Sequence, residues 1–200
     1  RNPQFINSRG DYVWAIWVRG NHCYYTTGND GFVIVNVENP LNLWEEGRLN
    51  GYSSYDLHVI NYFGYLGSFA GGIAYFDVID VSDSSNPSVI GRCTIPGNAE
   101  PFGVWVRSPF SYGFVADWYE GLQVVNINDP TRPRIDTAAF KADQARDIFV
   151  QNDRAYIADG LAGLKVLDIS NIAAPFEIGS YDTVGQQPTL YSVWVADTLA

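Results

Sequence analysis

Basic residues are scarce in this sequence. Lys and Arg number 12 against 22 Asp and Glu, which gives the 200 residues a formal net charge of −10. Nucleic acids and anionic membrane surfaces are bound mainly through Lys and Arg, so neither is an expected partner. Charged residues amount to 17% and aromatic residues to 15%, whereas a disordered chain has the opposite balance. With 19 Gly and 10 Pro, the composition favours an all-β globular protein.

Cysteine, histidine and methionine are rare or absent. The two cysteines, Cys23 and Cys93, are too few for a disulfide framework and are predicted to be buried free thiols. A zinc site is disfavoured because His22 and Cys23 are adjacent in a predicted strand and point to opposite faces. No methionine stands at position 1, so we expect that the sequence is not a complete translation product and that any signal peptide has already gone.

Long apolar runs and common catalytic motifs are missing as well. The longest uncharged stretch, residues 57–76, is long enough for a membrane helix, but it contains four glycines and belongs to the repeat described below. Membrane insertion is therefore not expected. The sequence has no phosphate-binding loop, no G-x-S-x-G elbow and no H-E-x-x-H motif, so it does not indicate the enzyme classes that depend on them.

The dominant signal is a pattern that recurs four times with a period near 45 residues. Each copy has an apolar strand with a valine, an aromatic strand, a glycine turn, a Val/Ile-rich strand that ends in Asn or Asp, and a proline. The valines of the first strand are Val18, Val59, Val106, Val150 and Val195. The glycines are Gly31, Gly72, Gly121 and Gly163. The polar residues that end the third strand are Asn36, Asp80, Asn126 and Asp168. The prolines that follow are Pro40, Pro87, Pro130 and Pro175.

Each copy is predicted to form four short antiparallel strands. The first and third strands are nearly all apolar, which is typical of strands buried on both faces. Four strands in about 45 residues indicate the blade of a β-propeller, with a β-solenoid as the alternative. We predict a single β-propeller domain, or a fragment of one, over residues 1–200. Its blades are predicted at about 15–49, 56–95, 103–140 and 147–182, with partial-blade strands at 1–9 and 192–200.

The repeats resemble a known family. The segments RAYIADGLAGLKVLDISNIAAPFEIGSYDT (154–183) and GFVADWYEGLQVVNINDPTRPRI (113–135) are similar to the LVIVD-repeat proteins, whose motif runs A-Y-V-A-D, G-L, L-V-I-V-D and N-P. The second repeat departs most, with extra residues between Gly72 and Val78. The resemblance implies a β-propeller, commonly secreted or exposed on the surface of bacteria and archaea. It implies no enzymatic activity and no catalytic residues, because the family as a whole has none agreed.

Two carboxylates occupy equivalent positions just before the first strand of their blades. Asp56 and Asp147 are expected on the face where propellers usually bind ligands, at the mouth of the central channel. A pair of carboxylates there could hold Ca²⁺ or act as a general acid and base. Arg146 is a ready ion partner for Asp147, so solvated loop carboxylates are the ordinary interpretation. The other blades have smaller residues at this position: Ala15, Gly103 and Ser192.

The turn Asp117-Trp118-Tyr119-Glu120, between the second and third strands of the third blade, is the other candidate site. An exposed Trp and Tyr flanked by acids could stack on a sugar or on a partner's side chain. The alternative is an aromatic pair that covers the next blade. Asp159 stands at the place of Asp117 in the next repeat, which indicates that this aspartate caps the turn.

His58 and one acidic run have structural interpretations. His58 stands where the other repeats have an aromatic residue, so we predict a packed ring with a hydrogen bond. Those residues are Trp17, Trp105, Phe149 and Trp194. The run of Asp77, Asp80 and Asp83 resembles a calcium loop only loosely, because it lacks the glycine and the terminal Glu of an EF-hand.

The sequence thus favours a non-enzymatic β-propeller, extracellular or at the cell surface, that acts as an interaction or structural scaffold. Expected partners are a protein or a cell-surface glycan, with Trp118 and Tyr119 as anchors. One alternative is a polysaccharide hydrolase or lyase with two channel-mouth carboxylates about 5–10 Å apart. Another is a subunit of a larger extracellular assembly, in which a second chain completes the open blade edges. No cofactor is expected, and Ca²⁺ is the alternative to that expectation.

Overall fold

The computed structural model describes residues 12–28, 31–51, 53–107, 112–182 and 189–196. Within these ranges the chain forms sixteen β-strands and no helix. The strands form four sheets, and each sheet contains four consecutive antiparallel strands. The prediction of an all-β propeller with four-stranded blades is therefore confirmed. The strand predicted at 1–9 lies outside the described residues.

Each sheet is a meander, and the four sheets are named blades 1 to 4 in chain order. Blade 1 contains β1 (Val13–Arg19), β2 (His22–Thr27), β3 (Phe32–Asn36) and β4 (Trp44–Leu49). Blade 2 contains β5 (Ser53–Ile60), β6 (Phe63–Ala70), β7 (Ile73–Asp80) and β8 (Ser88–Thr94). Blade 3 contains β9 (Pro101–Arg107), β10 (Tyr112–Asp117), β11 (Gly121–Asn126) and β12 (Arg134–Phe140). Blade 4 contains β13 (Asp147–Gln151), β14 (Arg154–Ala158), β15 (Leu164–Asp168) and β16 (Phe176–Tyr181).

The core lies between consecutive blades. Two apolar residues on the third strand of one blade share a buried cluster with two on the first strand of the next blade. Blades 1 and 2 are joined in this way by Phe32, Ile34, Leu57 and Val59. Blades 2 and 3 are joined by Phe76, Val78, Val104 and Val106, and blades 3 and 4 by Leu122, Val124, Ile148 and Val150. Because β3 and β11 are covered from both sides, they show no alternation of apolar and polar residues.

Polar residues at the ends of the third strands cap the turns that follow. Asn36, Asp80, Asn126 and Asp168 each accept a hydrogen bond from the backbone N–H two residues on. A second set of residues, three positions further along each repeat, accepts the same kind of bond from the backbone N–H two residues on. These residues are Asn39, Asp83, Asp129 and Asn171. These Asx turns explain why the repeat has Asn or Asp at both places. The remaining member of the acidic run, Asp77, is buried and pairs with Arg92 at 2.6 Å.

The two cysteines are free thiols, as predicted, but they are half-buried and not fully buried. Burial raises the pKa of both thiols, that of Cys93 to about 11. Both thiols are therefore protonated and weakly nucleophilic at neutral pH. Among the described residues, no helix is long and apolar enough to cross a membrane.

Candidate functional site

The first strands of the blades contact one another in turn, in the order β1, β5, β9 and β13. One aromatic residue from each of these strands, together with one from the segment 189–196, forms a continuous stack that we call the inner ring. Its members are Trp17, His58, Trp105, Phe149 and Trp194. The centroids of neighbouring rings lie between 4.4 and 4.8 Å apart.

His58 is a packed member of the inner ring, as predicted. Its side chain is buried, its Nδ1 accepts a hydrogen bond from the backbone N–H of Val106 at 2.8 Å, and Trp17 and Trp105 flank it. Burial lowers the pKa of His58 to about 4. The ring is therefore neutral at pH 7 and acts as an acceptor at Nδ1.

A second tier lies three residues before each member of the inner ring. We call this set the rim, and its members are Trp14, Tyr55, Phe102, Arg146 and Tyr191. The first three are each the extra residue of a β-bulge, because the residues on either side of them pair with consecutive residues of the neighbouring strand. A β-bulge takes its extra residue out of the ladder and redirects its side chain. The bulges thus occur at the rim in three successive blades.

Ring contacts connect the rim residues in two groups. The ring of Tyr55 lies 5.4 Å from that of Trp14 and 4.7 Å from that of Phe102, measured between centroids. On the other side, the guanidinium of Arg146 lies 4.4 Å from the centroid of Tyr191. The rim is therefore mainly aromatic, with a single cation.

Trp118, which is not a rim residue, contacts both groups of the rim. Its ring lies 5.3 Å from that of Phe102, and the guanidinium of Arg146 lies 4.1 Å from its centroid. Arg146 thus lies between the faces of Trp118 and Tyr191, and no ion pair joins it to Asp147 in the part of the chain that the structure describes. The predicted ion pair of Arg146 with Asp147 is wrong because cation–π contacts hold the guanidinium instead.

Asp56 connects β5 to β9, and Asp147 connects β13 to the segment 189–196. Asp56 Oδ2 accepts a hydrogen bond from the backbone N–H of Val104 at 2.7 Å. Asp147 Oδ2 accepts one from the backbone N–H of Val193 at 2.8 Å and one from Ser192 Oγ at 2.6 Å. Both residues are half-buried, and both lie within strands. The interpretation as solvated loop carboxylates is therefore wrong, because both carboxylates accept a backbone hydrogen bond from the next blade or segment.

The environment of Asp56 favours its neutral form. Burial is the largest cause, and the nearby charge of Asp147 adds to it, so that the pKa of Asp56 rises to about 8 despite the hydrogen bond from Val104. Gly103 allows this close approach of the blades. A Cβ added at Gly103 would lie 2.7 Å from the Cα of Asp147, which explains why small residues alternate with aspartate at this repeat position.

The rim and the residues that directly follow it line a pocket of about 340 Å³, which we call the mouth pocket. It is lined by Trp14, Tyr55, Asp56, Phe102, Arg146, Asp147, Tyr191 and Ser192. The structure therefore brings the two predicted carboxylates to one site. The aromatic lining residues were not predicted as site residues, although an aromatic residue four positions before the repeat valine in four of five cases was a usable signal.

The predicted turn site has a different character. Asp117 is fully buried, and its Oδ1 accepts hydrogen bonds from the backbone N–H groups of Tyr119 at 3.0 Å and Glu120 at 2.9 Å. Its expected exposure is wrong, because its carboxylate caps the turn from inside, as the recurrence at Asp159 indicated. Burial raises the pKa of Asp117. Glu120 pairs with Lys141, 3.3 Å away.

The structure does not bring Trp118 and Tyr119 into the mouth pocket. Trp118 lies behind the rim, and Tyr119 is exposed on the turn. Their role as partner anchors stays a prediction. No group of three or more His, Cys, Asp or Glu is arranged to hold a metal ion within the described ranges, and the absence of a cofactor also stays a prediction.

Comparison with known protein families identifies the repeat. The family model of the LVIVD repeat matches residues 10–50, 61–95, 103–137 and 142–183, which is most of the chain. The chain belongs to the LVIVD repeat family. A search of curated proteins finds no match.

Among solved structures, the chain is similar to the computationally designed Ika8 protein, with a TM-score of 0.70 and 12% sequence identity. The match covers 92% of this chain and 53% of the designed protein, so this LVIVD repeat chain spans about half the length of that structure. At this identity the likeness supports the fold alone.

Proposed function

We propose that this LVIVD repeat protein is a non-enzymatic interaction scaffold of the extracellular space or the cell surface. Its partner is a protein or a cell-surface glycan, which it contacts at the mouth pocket. The family resemblance and the acidic composition, with 12 basic residues in 200, support this role and location. The observation that carries the choice of site is the rim, where three successive blades each use a β-bulge to present an aromatic side chain.

The pocket has the features of a binding site. Ligand sites are concave and mostly apolar, with a few polar groups that fix orientation, and their volumes are about 300–1,000 Å³. At about 340 Å³, with aromatic walls and two carboxylates, the mouth pocket meets this description at the small end of the range. Aromatic side chains also dominate the energetics of interaction surfaces.

The test compares two variants on an immobilised glycan array and a peptide library. Tyr55→Ala with Phe102→Ala removes two rings of the rim, whereas Tyr62→Ala removes an exposed ring from the β5–β6 turn, at the other end of β5. We expect that the double variant loses the ligands bound by the parent chain and that Tyr62→Ala keeps them. Ligands retained by the double variant would show that binding occurs elsewhere and would overturn the proposal.

A hydrolase or lyase that acts on polysaccharides is the second candidate. It is favoured by the presence of Asp56 and Asp147 in one pocket, where Asp56 holds its proton at neutral pH and could act as the acid. Release of reducing ends from polysaccharides by the parent chain, lost in both Asp56→Asn and Asp147→Asn, would establish this function in place of the scaffold. We expect no turnover.

A further inference from the structure

We infer that the mouth pocket binds one uncharged sugar ring of a glycan. This inference rests on the proposed function, which makes the mouth pocket the contact site. It adds the chemical class of the ligand and excludes charged ligands of either sign. Four properties of the pocket support it: its size, the arrangement of its aromatic faces, the balance of its charges and its hydrogen-bonding capacity.

The size fits a single ring and not a flat protein surface. A standard protein–protein interface buries about 800 Å² on each partner, over a broad and nearly flat area. The mouth pocket is a concave site of about 340 Å³ with walls contributed by all four blades and by the segment 189–196. A site of this shape takes one compact group from its ligand.

Aromatic faces from both groups of the rim line the pocket. Trp14 is 51% exposed and Tyr191 is 66% exposed, and they stand at opposite ends of the rim. Tyr55 and Phe102 lie between them and are half-buried. A sugar ring has an apolar C–H face and a polar edge, so it can cover an aromatic face while its hydroxyl groups reach polar partners.

The charges of the pocket disfavour an ionic ligand. Asp147 and Asp56 line it together with the guanidinium of Arg146, which already occupies one face of Tyr191. The opposite charges of Arg146 and Asp147 offset each other, so the pocket offers a charged ligand of either sign little net attraction. Hydroxyl groups both donate and accept, so an uncharged polyol satisfies the carboxylates and the guanidinium at once.

The hydrogen-bonding capacity needed for such a ligand is present. An ionised carboxylate has about four lone-pair sites. Asp147 accepts bonds from the backbone N–H groups of Ile148 and Val193 and from Ser192 Oγ, which leaves one site for a sugar hydroxyl. Asp56 accepts hydrogen bonds from the backbone N–H groups of Val104 and Leu57, and its protonated oxygen can donate to a sugar hydroxyl.

The test is calorimetric titration of the 200-residue chain with four defined probes: neutral oligosaccharides, a uronic-acid oligosaccharide, choline and a short neutral peptide. We expect binding of a neutral oligosaccharide only. Tyr55→Ala and Asp147→Asn are each expected to weaken it about tenfold, whereas Tyr62→Ala leaves it unchanged. Circular dichroism of each variant verifies that the β-sheet signal is retained.

The outcomes separate this inference from the proposed function. Tightest binding of the uronic acid, of choline or of the peptide, with loss in Tyr55→Ala, would overturn the neutral-sugar inference and leave the mouth pocket as the binding site. A neutral oligosaccharide whose affinity is the same in Tyr55→Ala, Asp147→Asn and the parent chain would overturn both. Binding of no probe would overturn the sugar inference.

Discussion

At the residue scale, the inner ring accommodates a histidine at a repeat position where the other blades have tryptophan or phenylalanine. His58 replaces a tryptophan or phenylalanine without loss of stacking, and its Nδ1 also accepts the Val106 N–H at 2.8 Å. The cost is a pH dependence, because burial lowers the pKa of His58 to about 4 from an ordinary value of 6.5. Above pH 6.5 the neutral ring contributes its full stability, and this contribution is lost as the pH falls from 6.5 towards 4.

The substitution His58→Phe tests this dependence. At pH 7 we expect the variant to be less stable than the parent chain by about 1–3 kcal/mol, because the Val106 N–H loses its acceptor. At pH 4.5 the difference is expected to shrink or vanish, because the parent chain has by then lost about 1.4 kcal/mol per pH unit below 6.5. Urea unfolding at both pH values measures it. A difference that is the same at pH 7 and pH 4.5 would mean that His58 is not buried as a neutral ring.

Asp56 has the opposite dependence. Its pKa in the folded chain is about 8, above the ordinary value of 3.8, so the fold favours the protonated form. The stability that the protonated Asp56 contributes to the fold is fully present below pH 4 and is lost as the pH rises towards 8. Asp56→Asn keeps an acceptor for the Val104 N–H and does not ionise. We expect the variant to gain thermal stability relative to the parent chain between pH 5 and pH 8.5, and parallel melting curves across this range would contradict the raised pKa.

At the element scale, glycines in the fourth strands of blades 1 and 2 contact the next blade, at the turn between its third and fourth strands. A Cβ added at Gly47 would lie 2.1 Å from the carbonyl oxygen of Ser84, and one added at Gly91 would lie 2.1 Å from that of Pro130. Gly179 is the equivalent in blade 4, and a Cβ there would meet nothing within 4 Å. The three glycines therefore share a position in the repeat but differ in what contacts them.

These glycines give a matched pair of substitutions. Gly91→Ala is expected to lower the melting temperature strongly, because backbone atoms of blade 3 must move to admit the methyl group. Gly179→Ala is expected to leave the melting temperature within about 2 °C of the parent, or to raise it slightly, since alanine lowers the entropy of the unfolded chain. Equal losses in the two variants would show that blade packing does not differ between these sites.

Most of the element structure could be predicted from the sequence, because the period of the repeat fixes the strands and the turn chemistry fixes their ends. The rim could not be predicted so well. Trp14, Tyr55 and Phe102 reach the mouth pocket through β-bulges, and a bulge depends on the pairing register and leaves no fixed letter in the sequence. Trp118 was predicted to be an exposed anchor because its turn is polar, but its ring supports Phe102 and Arg146.

At the scale of the whole molecule, the four blades form three joints, and within the described residues each end blade keeps one open face. On blade 1, Ile16 and Val18 are exposed, whereas Leu57 and Val59, their equivalents in blade 2, are buried by blade 1. Leu164 and Val166 of blade 4 are half-buried, whereas Leu122 and Val124, their equivalents in blade 3, are fully buried by blade 4. These open faces support the alternative proposal of a larger assembly in which another chain adds to the blades. A single species at the mass of one chain, in light scattering over a wide range of concentration, would contradict self-assembly of this polypeptide through those faces.

The central claim is that ligand recognition occurs at the mouth pocket. The most direct measurement is a crystal structure of the chain with the neutral oligosaccharide that binds most tightly in the titrations. We expect one sugar ring against the rim between Trp14 and Tyr191, with a hydroxyl group in hydrogen-bond contact with Asp147. A ligand bound on another surface at saturating concentration, with the mouth pocket empty, would contradict it.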